Sequence, residues 1–150
     1  MILQLVRLQK VGGGMPLSTT PYAVVVEDDP IISMETAYIL EEAGFRIHEC
    51  FDGDEALAHL GDHWERTVLL FSDVDMPGRT NGFALARHVA EHWPRIEIVI
   101  ASGHVSPNAG DMPDKATFLS KPFNRRTVLE HLARILPNEK KPEPLRKAAL

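Results

Sequence analysis

The chain has 150 residues, of which 44% are hydrophobic and 25% are charged. This composition suits one globular domain and argues against a fully disordered chain or a fibrous repeat. The net charge of -5 disfavours nucleic acid as a direct partner. Because Cys50 is the single cysteine, the chain can form neither an internal disulfide nor a cysteine-rich metal site, and a reducing compartment is expected.

The first part of the chain is set apart by the glycine run Gly12-Gly13-Gly14, which is typical of a flexible linker. Residues 1–11 are too short to span a bilayer, and polar side chains interrupt them. They also do not match a secretion signal. We therefore expect a flexible extension over residues 1–20, no membrane segment and a cytoplasmic location. Met15 is an alternative initiator, and the sequence leaves open whether residues 1–14 belong to the native protein.

From residue 21 onward, short apolar runs alternate with longer amphipathic segments, which predicts an α/β fold with a parallel sheet. Three runs are continuously apolar, as in central strands that are covered on both faces. They lie at residues 23–26, 68–71 and 98–101. Residues 46–50 alternate in polarity and predict an edge strand, and residues 116–119 predict a fifth strand.

The segments between these strands carry helix signals. Gly44 ends the first predicted helix, Asp52 and Asn124 are N-cap candidates for the second and the last, and Pro94 stops the third. Residues 105–115 contain prolines and glycine that oppose a regular helix, so a short or irregular fourth element is expected there. The predicted domain ends at residue 137, and residues 138–150 are expected to be a loose tail.

Polar residues follow four of the predicted strands. They are Glu27-Asp28-Asp29, Asp73 with Asp75, Ser102, and Lys121-Pro122. Because the carboxyl ends of parallel strands gather at one edge of the sheet, these groups should converge in space.

If these carboxylates converge, they need positive charge beside them. Two carboxylates a few ångströms apart repel by roughly 4 kcal/mol at an effective dielectric near 20, so cations must join them. Lys121 supplies one positive charge, and a hard divalent ion such as Mg2+ would supply the rest. An Asp carboxylate in this setting can attack phosphorus and become an aspartyl phosphate, with Ser102 and Lys121 holding the phosphoryl oxygens.

Four segments in this order resemble the motifs of response regulator receiver domains from two-component signalling. They are Val25-Val26-Glu27-Asp28-Asp29, Phe71-Ser72-Asp73-Val74-Asp75-Met76-Pro77, Ile100-Ala101-Ser102-Gly103 and Leu119-Ser120-Lys121-Pro122-Phe123. The resemblance covers residues 21–137. It implies a flavodoxin-like, doubly wound sheet of five parallel strands in the order 2-1-3-4-5, with helices on both faces.

The resemblance also implies roles for single positions. Asp73 would be the phosphoacceptor, Asp28 and Asp29 the acidic pair that binds Mg2+, and Asp75 the residue whose backbone carbonyl also reaches the metal. Ser102 would be the switch hydroxyl. Lys121 would pair with the phosphate, and its bond to Pro122 would be cis. Phe118 would be the aromatic switch.

The phosphate donor implied by the family is a histidine kinase or a histidine phosphotransfer protein, and the chain would act through a downstream protein that the sequence does not name. The short predicted tail favours a stand-alone receiver, a switch rather than an enzyme with turnover. Three departures from the family pattern stand out: one extra residue between Pro77 and Gly82, a short segment from Ser102 to Lys121, and Phe instead of Tyr at position 118. Dimerisation through the altered fourth-helix region stays open.

Two other functions fit parts of the pattern. A phosphatase of the haloacid-dehalogenase kind also uses an Asp-x-Asp pair, which Asp73 and Asp75 would supply, but the pair follows the third strand and no cap insertion is evident. A receiver-like module that is never phosphorylated is the weakest alternative, since acceptor, lysine and hydroxyl are all present.

Two histidine pairs, His59 with His63 and His88 with His92, have the i, i+4 spacing of a metal pair on a helix. Neither pair has an evident third ligand in the sequence. Solvated helix faces are therefore the favoured interpretation.

Overall fold

The computed structural model describes residues 20–148, which form one parallel sheet with helices on both of its faces. The expected extension over residues 1–20 therefore lies almost wholly outside the described residues. Residues 20–148 contain five strands and five helices, with short 3-10 turns at Trp64–Arg66 and Asn138–Lys140. The strands are β1 (Tyr22–Val26), β2 (Arg46–Cys50), β3 (Thr67–Asp73), β4 (Glu97–Ser102) and β5 (Thr117–Ser120). The helices are α1 (Pro30–Glu42), α2 (Gly53–His63), α3 (Gly82–His92), α4 (Arg125–Ile135) and α5 (Glu143–Ala148).

The sheet has the strand order β2-β1-β3-β4-β5, and all neighbouring strands run parallel. This confirms the predicted flavodoxin-like order, with β2 as the predicted edge strand. Because β1 and β3 are neighbouring parallel strands, their carboxyl ends are adjacent. Val26 pairs with Ser72, the residue immediately before Asp73. The register therefore places the last residues of β1 and β3 side by side.

Two hydrophobic clusters, one on each face of the sheet, form the core. Continuous apolar runs in β1, β3 and β4 contribute side chains to both clusters, because alternate side chains of a strand point to opposite faces. Val24 and Leu70 belong to one cluster, whereas Val25 and Phe71 belong to the other. At about 25 cal/mol per Å² of buried apolar surface, this burial on both faces is the main stabilising contribution.

The helix starts follow the predicted capping chemistry. Asp52 accepts a hydrogen bond from the Glu55 N–H at 2.8 Å, and Asn124 accepts one from the Thr127 N–H at 2.9 Å. At the other end of α1, Gly44 has a φ of +108°, a conformation that glycine adopts without the steric cost of a Cβ. No described helix has the length and apolar character needed to cross a membrane.

The connection from β4 to β5 contains no helix among its described residues, 103–116. It consists of turns, in agreement with the irregular element expected from its prolines and glycines. Asp111 ties the segment together, since its carboxylate accepts a hydrogen bond from the Asn108 N–H at 2.7 Å. This face of the domain is therefore built from a loop rather than from a helix.

The C-terminal segment differs from the loose tail that the sequence predicts. Residues 143–146 of α5 are described with their side chains, and Leu145 is only 3% exposed within the core cluster that also includes Leu40 and Leu136. Lys140 reaches back to the Glu97 carboxylate at 2.7 Å. The segment is packed because Leu145 covers apolar surface that α1 and α4 leave accessible.

Candidate functional site

The candidate site lies at the carboxyl edge of the sheet, where β1, β3 and β5 all end. Glu27 and Asp28 follow β1, Asp73 is the last residue of β3, and Lys121 follows β5. These residues line one open pocket, together with Asp75 and His104. The predicted convergence of acidic and basic groups is therefore present in the structure.

Lys121 is the cation at the centre of this pocket. Its Nζ atom donates a hydrogen bond to Glu27 Oε1 at 2.8 Å and lies 3.5 Å from Asp73 Oδ1. The Asp73 Oδ1 atom also accepts a hydrogen bond from the Val74 N–H at 2.8 Å. Two carboxylates from different strands thus share one ammonium group, and a backbone amide fixes the orientation of Asp73.

Carboxylate oxygens of Glu27, Asp28 and Asp73 all lie within 4.8 Å of one another. The side chains of Glu27 and Asp73 are 6% and 13% exposed, so solvent screens their repulsion only weakly. These three carboxylates together with the Lys121 ammonium carry a formal charge of -2. A group of oxygen donors with this charge fits a hard divalent cation.

Burial is the largest influence on the pKa values of the two carboxyl groups nearest Lys121. It raises the pKa of Asp73 and of Glu27 above the usual values, although Lys121 acts in the opposite direction on both. For Lys121, burial lowers the pKa, but its bond to Glu27 and the charges of Asp73 and Glu27 outweigh burial, so the pKa is raised. Burial therefore disfavours the ionised form of both carboxyl groups, and a further cation beside them would stabilise that form.

Asp29, which was predicted to bind Mg2+ together with Asp28, lines the same pocket but lies outside the group of Glu27, Asp28 and Asp73. Asp29 is the N-cap of α1, and its Oδ1 accepts hydrogen bonds from the Ile31 and Ile32 N–H groups at 2.9 and 3.3 Å. Glu27 takes the expected place in the carboxylate cluster, next to Asp28. A signal for this assignment was available in the sequence, because Asp followed by Pro30 is typical of an N-cap and the first helical residue.

The remaining predicted residues occupy different parts of this edge. Ser102 is 4% exposed, and its Oγ accepts hydrogen bonds from the His104 and Val105 N–H groups at 3.3 and 3.2 Å. Phe118 is half-buried and packs against the core cluster that includes Ile100. Asp75 is exposed at the rim, and the Lys121–Pro122 peptide bond is cis, as expected.

The loop after β3 carries the extra residue noted in the sequence. Gly78 adopts a φ of +96° at its tip. Thr80 donates a hydrogen bond to Asp54 Oδ1 at 2.7 Å, which anchors the loop to α2. The Gly82 N–H donates to the Val74 carbonyl at 2.9 Å, so the loop closes directly behind Asp73.

Comparisons with curated proteins point to one family. The response regulator receiver protein CpdR of Brucella abortus is 30% identical over 117 residues, which cover 75% of this chain and 94% of CpdR. The sensor kinase CckA of the same organism is 28% identical over 134 residues, but the chain spans only 14% of CckA. The chain likewise spans 23% of the nitrogen assimilation regulatory protein NtrX of Azorhizobium caulinodans.

Solved structures agree with this assignment. The chemotaxis response regulator CheY4 of Vibrio cholerae superposes with a TM-score of 0.68 at 28% identity, covering 78% of this chain and 99% of CheY4. The receiver domain of the hybrid histidine kinase CckA gives a TM-score of 0.67 at 28% identity and covers 77% of this chain and 99% of that domain.

The sequence model described as "Response regulator receiver domain" matches residues 23–133. That match begins in β1 and ends in α4, so it contains every strand of the sheet and all residues of the carboxylate cluster. By sequence, by fold and by the composition of this edge, the chain is a member of the response regulator receiver domain family of two-component signalling.

Proposed function

We propose that the chain is a phosphoryl-accepting switch in which Asp73 takes a phosphoryl group from a phosphohistidine donor. The single observation that carries this proposal is the position of Lys121 Nζ, 2.8 Å from Glu27 and 3.5 Å from Asp73. An ammonium held between two strand ends is placed to balance negative charge that arrives next to Asp73.

Mg2+ is the cofactor that the donor set favours. The side chains of Glu27, Asp28 and Asp73 would hold it, with the backbone carbonyl of Asp75 as a further oxygen ligand. When bound, Mg2+ supplies positive charge to the phosphoryl oxygens during transfer. The raised pKa values of Glu27 and Asp73 support this assignment, since burial disfavours the ionised carboxylates and a divalent ion would stabilise them.

The transfer itself requires little from the protein beyond position and charge. An Asp73 carboxylate oxygen forms a bond to phosphorus while the bond between phosphorus and the donor imidazole nitrogen breaks. The electron pair stays on that nitrogen. Lys121 lies 3.5 Å from Asp73, so the new phosphoryl oxygens would form an ion pair with it.

Ser102 and Phe118 would transmit the phosphorylation of Asp73 to the surface of the domain. The Ser102 hydroxyl accepts two backbone N–H groups of the following loop, so its own proton remains available to a phosphoryl oxygen. If Ser102 turned toward Asp73, it would release those two amides, and the β4–β5 loop with Phe118 would rearrange. A partner that distinguishes the two loop states would read the signal.

A histidine kinase or a histidine phosphotransfer protein would supply the phosphoryl group. The relative CckA is itself a sensor kinase, which supports a donor of this class. We place the switch in the cytoplasm, where such donors act, and expect a protein rather than a nucleic acid as the downstream partner, given the net charge of -5.

Labelling with acetyl phosphate tests the proposal. We expect one phosphoryl group per chain in the presence of Mg2+, none after chelation and none in Asp73→Asn. Asp29→Asn is the matched control, because Asn also caps a helix and labelling should persist. Rapid turnover of p-nitrophenyl phosphate would instead favour the phosphatase, and unlabelled chain would favour a module that is never phosphorylated.

Beryllofluoride titration followed by NMR tests the switch. Amide shifts are expected in the β4–β5 loop and at Phe118. In Ser102→Ala the shifts around Asp73 should persist while those of the loop disappear. Loop shifts of unchanged size in that variant would contradict the role of Ser102.

A further inference from the structure

A second group of metal-binding side chains lies away from the carboxylate pocket, between the edge strand β2 and helix α2. His48 and Cys50 are two residues apart on β2 and therefore point to the same face of the sheet. Glu55 lies on α2, and the ligand atoms of His48, Cys50 and Glu55 all lie within 4.8 Å of one another. Both elements thus direct donors toward one point.

A further imidazole adjoins this group. His59 follows Glu55 by four residues on α2, so the two side chains share one face of the helix. Its ring stacks on the ring of His48, with centroids 3.6 Å apart and planes 9° apart. Because an imidazole nitrogen binds metal in the plane of its ring, two parallel rings cannot both bind one ion, and His59 instead holds the orientation of the His48 ring.

We propose that His48, Cys50 and Glu55 form a binding site for a transition metal ion of the Zn2+ class. One thiolate, one imidazole and one carboxylate are ligand types that Zn2+ and Co2+ take in tetrahedral sites, where water can fill the fourth position. One thiolate and one carboxylate also balance the charge of a divalent ion. The carboxylate cluster of Glu27, Asp28 and Asp73 offers oxygen donors instead, so the two sites differ in the metals they prefer.

The distances suit such an ion after small side-chain rotations. Ligand atoms bound to one Zn2+ lie about 2.0–2.3 Å from it, so in a tetrahedral site two of them are about 3.3–3.8 Å apart. The three ligand atoms lie within 4.8 Å of one another, and inward rotation of the exposed Glu55 side chain would bring them closer.

The protonation of the group is compatible with binding. Burial, together with neighbouring His48 and His63, lowers the pKa of His59 to about 4, so this ring is neutral at physiological pH and brings no positive charge beside the ion. Burial raises the pKa of the Cys50 thiol to about 12. As the sulfur–metal bond forms, the thiol proton would leave to solvent, and the metal charge would replace it.

Glu55 is already oriented for this role. Its Oε1 accepts a hydrogen bond from the Phe51 N–H at 2.7 Å, which fixes the carboxylate near the start of α2. Its second oxygen can face the metal. Since Glu55 is exposed whereas Cys50 is 2% exposed, the ion would enter from the Glu55 side.

Titration of the full, reduced chain with Co2+ in excess Mg2+ tests the site. Mg2+ occupies hard oxygen donors, and a sulfur-to-cobalt charge-transfer band in the near ultraviolet reports thiolate binding. We expect the band to appear with one Co2+ per chain and to vanish when Zn2+ is added. Binding without that band, or no binding, would overturn the proposal.

Three variants and one control decide which residues bind. Cys50→Ser should abolish the band, and His48→Gln and Glu55→Gln should each weaken Co2+ binding by at least about ten-fold. Glu55→Gln keeps an oxygen for the Phe51 amide, so a loss there reports the metal rather than the helix start. His92→Gln is the control, because His88 and His92 also stack, at 4.0 Å, but have no neighbouring thiol. A band of equal strength in Glu55→Gln and His48→Gln, or its loss in His92→Gln, would overturn the assignment.

Discussion

The Lys121 ammonium binds the Glu27 carboxylate at 2.8 Å across 94 residues of sequence. This contact ties the end of β5 to the end of β1, although β3 and β4 lie between them in the sheet. Because Asp73 lies at 3.5 Å from the same nitrogen, Glu27 competes with Asp73 for Lys121. A phosphoryl group on Asp73 would change that balance.

The role of Glu27 can be separated from that of Asp29 by metal binding. Glu27→Gln removes one carboxylate from the cluster, and we expect Mg2+ affinity to fall by at least about ten-fold. Asp29→Asn keeps the cap of α1 and should leave the affinity unchanged. Isothermal titration of both variants provides the measurement. The reverse order of effects would restore the predicted pair of Asp28 and Asp29.

Strands and pocket residues could be predicted because their signals are local. Runs such as 68–71 are apolar throughout, and Asp73, Ser102 and Lys121 directly follow such runs. Whether Glu27 or Asp29 joins the carboxylate cluster depends on where α1 begins. The position of that helix start sets the direction of the side chains around it. Pro30 carried that information, since proline favours the first helical position.

Contacts between distant segments could not be predicted in the same way. The approach of His48 and Cys50 to Glu55 depends on how the edge strand packs against α2, and Leu145 packs against residues about a hundred positions earlier. Neither contact leaves a periodic pattern in one segment. The tail was expected to be loose because its prolines and charges dominate its composition.

The pH dependence of stability should reveal the burial of Asp73. Its pKa is raised in the folded state, so the ionised form is a cost, which grows as the pH rises above the pKa of the unfolded chain and is complete once the pH exceeds the raised pKa. Asp73→Asn removes it and keeps an acceptor for the Val74 amide. In Mg2+-free buffer at pH 7 we expect the free energy of unfolding to increase, on the order of 1 kcal/mol.

Urea unfolding at several pH values measures this effect. The gain should shrink as the pH falls below the raised pKa, because Asp73 is then neutral in the parent chain as well. Asp75→Asn serves as control, since Asp75 is exposed at the rim and should show little change. A gain of equal size at every pH would rule out the explanation by burial.

Gly82 should not tolerate a side chain. A Cβ at this position would lie 2.0 Å from the Asp73 carbonyl oxygen, far inside van der Waals contact, and only backbone movement could relieve it. We expect Gly82→Ala to lower the free energy of unfolding by about 1–3 kcal/mol and to slow labelling of Asp73 by acetyl phosphate.

Gly61 provides a matched substitution within α2. A Cβ there meets no atom within 4 Å, so Gly61→Ala should instead raise the free energy of unfolding by about 0.5–1 kcal/mol. Urea denaturation compares the two variants directly. Equal effects of the two substitutions would mean that helix propensity, and not the approach to Asp73, governs position 82.

Leu145 tests whether the C-terminal helix is part of the folded domain. Its side chain is 3% exposed in the core cluster that includes Leu40, so Leu145→Ala should lower the free energy of unfolding by about 2–3 kcal/mol. Arg146→Ala, at an exposed position of the same helix, should change it by less than about 0.5 kcal/mol. Thermal or urea unfolding distinguishes the two. Since a loose tail would make both substitutions neutral, the difference between them measures how strongly residues 143–146 bind the rest of the domain.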